Sequence, residues 1–340
     1  MKSLLCAALL ATLALAEDDI GQLVEQHEPT EAASSGEIHH TAFEALADVQ
    51  YATNGPVQQG FSISRLWFGV TGRIDSTLDY RFFATETRDL SAIQLPFLLP
   101  REVSLGIHNL AESGASIRVG LFRPWLNPYW SEMRMEFPGY FGIHSTLLQG
   151  EQMGVEGVYP IDSHIEVGVG MNNGNGVFAL NTNNSRGFTF FVRRPRRGED
   201  KPIGWGASIY SFRQSAAGAS NYRENWVGNL FAEIESAGYG VKAGFEFVWG
   251  GYSDNASSYS PQGWAGHLYL PFLGGNRLML RAELLNNSPD LGGRTYKRFE
   301  MGPVFHPTSS TTLFLTEQYT EPGTTSGEVS TFLLLRAEVF

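Results

Sequence analysis

From residue 38 onward the chain consists of short segments whose side chains alternate, and in each of them one face is apolar while the other carries charge. In 61–74, Leu66, Phe68, Val70 and Ile74 oppose Arg65, Trp67, Gly69, Thr71 and Arg73. In 223–236, Trp226, Leu230, Ala232 and Ile234 oppose Asn225, Asn229, Glu233 and Glu235. In 239–250, Tyr239, Val241, Ala243, Phe245 and Phe247 oppose Lys242, Gly244 and Glu246, and in 277–286, Leu278, Leu280, Ala282 and Leu284 oppose Arg277, Arg281 and Glu283. A repeat of two is the side-chain period of a β-strand. A sheet with faces this different must put one in water and shield the other. A soluble barrel turns its apolar face inward; a membrane barrel turns it out to lipid and keeps its charges in a watered lumen.

The alternation predicts about sixteen strands, over 38–51, 61–74, 77–87, 102–111, 115–123, 151–160, 163–171, 187–194, 203–213, 223–236, 239–250, 264–272, 277–286, 296–306, 311–319 and 328–340. Their connections alternate between short and long. Asp75-Ser76, Glu112-Ser113-Gly114, Ile161-Asp162, Ala237-Gly238 and Gly274-Gly275 are short; 52–60, 89–101, 124–150, 172–186, 214–222, 251–263, 287–295 and 320–327 are long. Short turns on one rim and long loops on the other mark bacterial outer-membrane barrels, and an even strand number brings both termini to the short-turn, periplasmic rim. A content of 38 glycines with 13% aromatics suits a turn-rich β protein. Tyr51, Tyr159, Trp249, Trp264, Phe272 and Phe340 fall near strand ends, where interfacial aromatics belong.

Residues 1–16 read as a secretory signal: Lys2, then the apolar run Leu4 to Leu15, then Ala14-Leu15-Ala16 before Glu17. The sole cysteine, Cys6, lies inside it, so the exported chain is expected to be cysteine-free. Residues 17–36 are a polar, acidic periplasmic lead-in, and 37–340 the barrel. The longest interruption runs from Pro124 to Leu148 and carries Trp125, Trp130, Glu132, Arg134 and Glu136. A loop this long is uncommon in a compact domain and is usually functional; in a wet barrel it can fold inward as a constriction. The fold class expected is therefore all-β: a transmembrane antiparallel β-barrel with an inward-folded constriction loop.

The charged faces contribute Arg65, Arg73, Arg81, Arg118, Arg193, Lys242, Arg277, Arg281, Arg298 and Arg336, against Asp79, Glu156, Glu166, Glu233, Glu235, Glu246, Glu283, Glu300, Glu317 and Glu338. The two sets balance in number but not in placement. Strands 61–123 supply mostly arginine and strands 151–250 mostly glutamate, which predicts arcs of opposite sign facing each other across the lumen. The pore lining expected from this is Arg65, Arg73, Arg81, Arg118, Arg277, Arg281, Glu156, Glu166, Glu233 and Glu246.

The segment Arg65-Leu-Trp-Phe-Gly-Val-Thr-Gly-Arg73-Ile74, followed by Leu78-Asp-Tyr-Arg-Phe-Phe-Ala-Thr-Glu86, resembles the early strands of the phosphate-selective porin O and P family. So does Arg118-Val-Gly-Leu-Phe-Arg-Pro-Trp125, a strand ending just before the long loop. The chain end, Leu334 to Phe340, resembles the terminal strand of many porins, although Phe340 lies off the apolar parity of Leu333, Leu335, Ala337 and Val339. The resemblance implies a sixteen-stranded homotrimer with a loop-constricted pore. The family's phosphate selectivity is associated with arginine ladders and lysine clusters. Here only Lys2, Lys201, Lys242 and Lys297 are lysines, so phosphate specificity does not follow.

Other chemistries are set aside. With Lys+Arg at 24 against Asp+Glu at 35, the chain is acidic and no nucleic-acid partner is expected. His39 and His40 point to opposite faces of a strand, so no metal site is expected. No GxSxG turn appears, and Glu132 and Glu136 four apart in a loop do not define a carboxylate pair, so neither an enzyme nor a cofactor is expected. The expected partners are outer-membrane lipid, small hydrophilic solutes or inorganic ions, and two further copies of the chain. The alternatives kept are a closed outer-membrane barrel with a structural or adhesive role and a secreted soluble β protein.

Overall fold

The computed structural model of the chain describes residues 40–54, 58–86, 98–122, 124–125, 152–173, 186–195, 202–214, 223–236, 240–253, 258–288, 293–308, 311–321 and 328–339. The signal 1–16 and the lead-in 17–36 lie outside them. The chain divides into Met1–Glu37 and Ile38–Phe340, and the second unit is an antiparallel sheet closed on itself.

The strands are β1 (His40–Asn54), β2 (Gln58–Arg73), β3 (Leu78–Glu86), β4 (Leu98–Leu110), β5 (Ala115–Phe122), β6 (Gln152–Pro160), β7 (Glu166–Asn172), β8 (Gly187–Arg194), β9 (Ile203–Gln214), β10 (Arg223–Ser236), β11 (Val241–Ser253), β12 (Ser258–Tyr259), β13 (Gln262–Pro271), β14 (Arg277–Ser288), β15 (Arg294–Thr308), β16 (Thr311–Glu321) and β17 (Glu328–Val339). β12 pairs only with the tip of β11, through Tyr252↔Tyr259 and Ser253↔Ser258. The other sixteen form the wall, each paired antiparallel with its sequence neighbours, and β17 returns to β1 from Ala45↔Val339 to Thr53↔Thr331. All sixteen expected strands are present.

Several boundaries shift by a few residues from the alternation pattern, and two of the shifts have a clear cause. The first long connection shrinks to 55–57, because Ala52↔Gly60, Thr53↔Gln59 and Asn54↔Gln58 extend the ladder beyond the last apolar residue. Hydrogen bonding continues where the hydrophobic signal stops. β4 begins at Leu98 rather than Glu102, and Pro100 is accommodated at a register shift opposite Phe83 and Ala84, the kind of irregularity at which a sheet tolerates proline.

Burial settles which face points where. Phe43, Phe68, Phe82, Val103, Val119, Val169, Phe190, Leu230, Phe245 and Leu315 are all exposed on the outside, while Glu156, Glu246, Arg281, Glu300 and Arg336 are buried inside. Phe190 is 51% exposed and Arg281 1%. This is the inverse of a soluble protein, and the apolar belt is a surface matched to hydrocarbon. One expected inward residue is misplaced: Glu317 shares its parity with Leu315 and Tyr319 and is exposed on the outer wall opposite Met301. The strict period of two overrides its charge.

Glycine and large side chains are matched across neighbouring strands. Phe231 lies over Gly206, where an added Cβ would come within 2.7 Å of the ring, and Glu233 lies over Gly204, at 2.6 Å from its carboxylate. Phe83 covers Gly69 and Phe191 covers Gly168 in the same way. These side chains lie along the wall instead of projecting into the lumen, which explains much of the glycine content. Gly120 has φ +133, with Val103 O where a Cβ would sit; only glycine fits there, and the next two residues, Leu121 and Phe122, are both buried.

The short-turn rim repeats one device. In Ile74-Asp-Ser-Thr-Leu78, Asp75 Oδ1 accepts the Thr77 and Leu78 amides at 2.6 and 2.8 Å and the Thr77 hydroxyl at 2.7 Å. In Ile161-Asp-Ser-His-Ile165, Asp162 Oδ1 accepts the His164 and Ile165 amides at 2.6 and 2.8 Å. These are Asx turns, in which the side chain takes over hydrogen bonding at the reversal. The Thr77 hydroxyl, then its amide, hold the Asp75 carboxyl below its ordinary pKa. A lowered folded-state pKa gives stability that is complete above the unfolded-state value and is lost as pH falls through the folded one. Asp75→Asn should therefore lower stability at neutral pH and narrow the gap to the parent as pH falls below about 4; denaturant titrations of the two proteins at several pH values check this.

Candidate channel lining

The interior has two unlike arcs. Along β2–β8 most inward charges keep some water contact, and Glu156 is buried. Arg73 and Arg81 are exposed, and among the described residues neither has an ion-pair or hydrogen-bond partner. They border an open recess of about 290 Å³ that takes in Thr71 and Asp79 of the inner face and Thr41 and Tyr80 of the outer one. Asp79 Oδ2 is 2.8 Å from His108 Nε2. Arg118 bonds Glu156 at 2.9 Å and reaches Glu102 at 3.5 Å, with its guanidinium 4.2 Å from the Phe122 ring centre. Arg193 donates to Glu166 at 2.8 Å. Arg65 occupies the inward register position opposite Asp48; its side chain lies outside the described residues.

The expected opposition of an arginine arc to a glutamate arc takes a different form. Arg118↔Glu156 and Glu166↔Arg193 are direct cross-strand neighbours. Neutralisation at these positions is local, because antiparallel pairing sets inward residues of adjacent strands side by side. Arg73, opposite Asp79 in register, and Arg81 make no ion pair among the described residues.

After β5, Pro124 and Trp125 lie on the interior side. Pro124 is buried, and the Trp125 amide donates to Glu156 Oε2 at 3.0 Å. The Trp125 ring packs 4.3 Å from Phe191 and 5.8 Å from Phe231, with the Arg193 guanidinium 4.6 Å from its centre. Glu156, Phe191, Arg193 and Phe231 are inward residues of β6, β8 and β10, so the root of the loop sits against the inner wall. Trp130, Glu132, Arg134 and Glu136 lie outside the described residues.

Along β9–β17 the inner wall is sealed. Tyr210, Phe212, Val227, Phe231, Val248, Ala265, Tyr269, Met279, Leu285, Val304, Phe314 and Leu334 form one buried cluster. Embedded in this arc is a charge network. Arg281 bonds Glu283 at 2.6 Å and Glu300 at 3.5 Å, and Arg298 bonds Glu300 at 3.1 Å. The Thr316 hydroxyl donates to Glu300 at 3.0 Å. Glu246 is buried and accepts from Asn229, and Glu233 is buried over Gly204. Arg277, next to the short-turn rim, is half-buried. Arg281, Glu233 and Glu246 thus face inward but are shielded from water. The signal for this was present: Met279 and Leu285 share the parity of Arg277, Arg281 and Glu283, so that face is mixed rather than polar.

No protein-family model matches the chain, and no curated protein matches it in sequence. Solved structures do match. The outer membrane channel DcaP of Acinetobacter baumannii aligns with a TM-score of 0.64 at 10% identity, over 90% of this chain and 99% of that one. OmpF of Salmonella typhi gives 0.63 at 12%, over 91% and 100%. The trimer form of OmpT, an outer membrane protein of Vibrio cholerae, gives 0.61 at 11%, over 88% and 99%. At such identities the likeness establishes the fold, and the fold is that of outer-membrane β-barrels.

Removing one member of a sealed charge network leaves the others buried without compensation, at a cost of about 3–5 kcal/mol. Arg281→Ala takes a buried cation from Glu283 and leaves Glu300 to Arg298 and Thr316, and should destabilise the barrel by up to that order, whereas Arg73→Ala, at an exposed guanidinium, should cost under about 1 kcal/mol. Denaturant unfolding in detergent micelles measures both.

Proposed function

We propose that this chain is a bacterial outer-membrane porin that lets small hydrophilic solutes or ions diffuse passively. The observation that carries the reading is the pairing of an apolar outer wall with an inner arc, β2–β8, whose Arg73 and Arg81 are exposed and make no ion pair among the described residues. Exposed charge on a lumen wall concentrates and steers ions of opposite sign. The loop 124–148 acts as the constriction, its root already lying on the inner wall. The protein works as a homotrimer, is exported by a leader over residues 1–16 that is removed, and carries 17–36 as a periplasmic lead-in. It catalyses no reaction.

The finer reading is an anion preference, phosphate included, and membership of the phosphate-selective porin O and P family. It rests on the motifs around Arg65–Glu86 and Arg118–Trp125 and on the exposed cations at Arg73 and Arg81. A second reading, a closed barrel with a structural or adhesive role, draws support from the sealed β9–β17 arc, which removes much of the inner wall from contact with water.

Conductance separates the two. Purified protein in a planar bilayer should open in steps and show an anion-directed reversal potential under a salt gradient. The double variant Arg73→Glu/Arg81→Glu should move that potential toward cations. An unchanged potential sinks the role given to these arginines, and a folded barrel that stays silent favours the closed reading.

A further inference from the structure

Asp79 stands on the inner face of β3 between two arginines and pairs with neither. Its register partner on β2 is Arg73 and on β4 Gly106. Beyond Gly106, on β5, stands Arg118, which is engaged by Glu156 and Glu102. The Asp79 carboxylate leans instead across Gly106 to the His108 imidazole, with Oδ2 2.8 Å from Nε2. An ionised carboxylate only accepts, so Nε2 carries the proton in this bond. Two features fix the arrangement. A Cβ at position 106 would run into Asp79 Oδ1 and come within 3.2 Å of His108 Nε2, so the glycine is what lets the carboxylate cross. The His108 amide donates to the Thr77 carbonyl at 2.6 Å, in the turn that Asp75 organises, which sets the imidazole beside the short-turn rim. Drawn this way, Asp79 leaves Arg73 exposed and without an ion pair among the described residues.

We propose that His108 is a specificity-determining residue of the short-turn mouth: by holding Asp79 across Gly106 it keeps that carboxylate off Arg73, and by gaining a proton it offsets the Asp79 charge beside Arg73 and Arg81. This rests on the porin reading for what passes the mouth; the arrangement of His108, Asp79 and Gly106 does not. Histidine is the side chain that ordinarily changes charge between about pH 5 and 8. The other charged groups around it are Arg73 on β2, Arg81 on β3, Glu102 on its own strand, Arg118 on β5, and Asp75 and Glu112 in the rim turns. None of these side-chain types ordinarily changes charge in that range. Acidification therefore makes this side of the lumen more positive.

Two readouts on the full folded chain test this. The first needs no channel. In a Cys6→Ser background, Thr71→Cys places a thiol on the inner face opposite Arg81, and the ratio of its rates with an anionic and a cationic methanethiosulfonate reports the local charge. From about pH 7.5 to about pH 5.5 that ratio should rise about two- to threefold, the effect of one added charge several ångströms away in water. His108→Ala releases Asp79 toward Arg73, so the neutral ratio should fall and its pH dependence disappear. Gly106→Ala, which crowds the carboxylate out, should also lower the neutral ratio. His108→Gln, which can still donate to Asp79, should keep the neutral ratio and lose the rise. The second readout is the reversal potential under a salt gradient, which should move toward anions on acidification in the parent but not in either His108 variant. A rate ratio that ignores pH in the parent, or that is the same in His108→Ala as in the parent, overturns the proposal. Ratios that change as expected in a protein that opens no channel support the His108 arrangement and fail the porin reading. Changed ratios in a conducting parent whose reversal potential ignores pH overturn the part given to His108 in selectivity.

Discussion

A strand lying in hydrocarbon cannot leave its amides and carbonyls unpaired, and the pairing of β1 with β17 is the contact that meets this requirement for the whole sheet. Without it two open edges would face lipid. With it, every wall strand has a partner on each side, and the faces are sorted by one alternation that runs around the circumference. The side-chain chemistry follows from closure. A residue either meets lipid or meets the interior, and the register that decides this is common to all sixteen strands. Glu317 on the outer wall shows how rigid the rule is, since even a carboxylate must follow its parity.

Closure encloses a space but does not decide how it is filled, and this barrel fills it unevenly. The β2–β8 arc leaves its cations Arg73 and Arg81 exposed, although Glu156 within it is buried. The β9–β17 arc shields an apolar cluster and an arginine–glutamate network from water. Ion pairs taken out of water hold only when geometry and further hydrogen bonds offset desolvation, and the Thr316 hydroxyl on Glu300 is one such bond. The lumen therefore presents charge on one side and packed side chains on the other. The glycines under Phe231, Phe83 and Phe191 belong to the same economy of space. Rings laid against the wall add packing without occupying the lumen.

Strand number, strand limits to within a few residues, the rim asymmetry and the resulting barrel were all legible in the sequence, because each depends on a local period of two and on where it breaks. The orientation of the faces could be argued but not read directly, since alternation is symmetric between inside and outside. What stayed hidden was lateral. That Arg118 would meet Glu156 depends on register between β5 and β6 across a long interruption, so charges that looked like opposed arcs are partly adjacent pairs. Met279 and Leu285 were visible on the charged parity of their strand, yet only their assembly with Leu334 and Phe314 from other strands makes a sealed wall. The early end of the first loop was invisible because polar ladders such as Thr53↔Gln59 carry no hydrophobic signal.

The central claim is the inversion of the two faces, and cysteine labelling of the folded protein in lipid vesicles tests it most directly. Cys6 is the chain's one cysteine, so single cysteines can be placed in a Cys6→Ser background at Arg81 and Thr71 on the inner face and at Val169 and Phe190 on the outer. The account predicts that a hydrophilic thiol reagent modifies the first pair and spares the second. A fluorophore attached at Val169 or Phe190 before reconstitution should be quenched by a lipid-borne quencher. Ready aqueous labelling at Val169 and Phe190 with protection at Arg81 and Thr71 would contradict it, and would mean that the apolar faces of this barrel look inward.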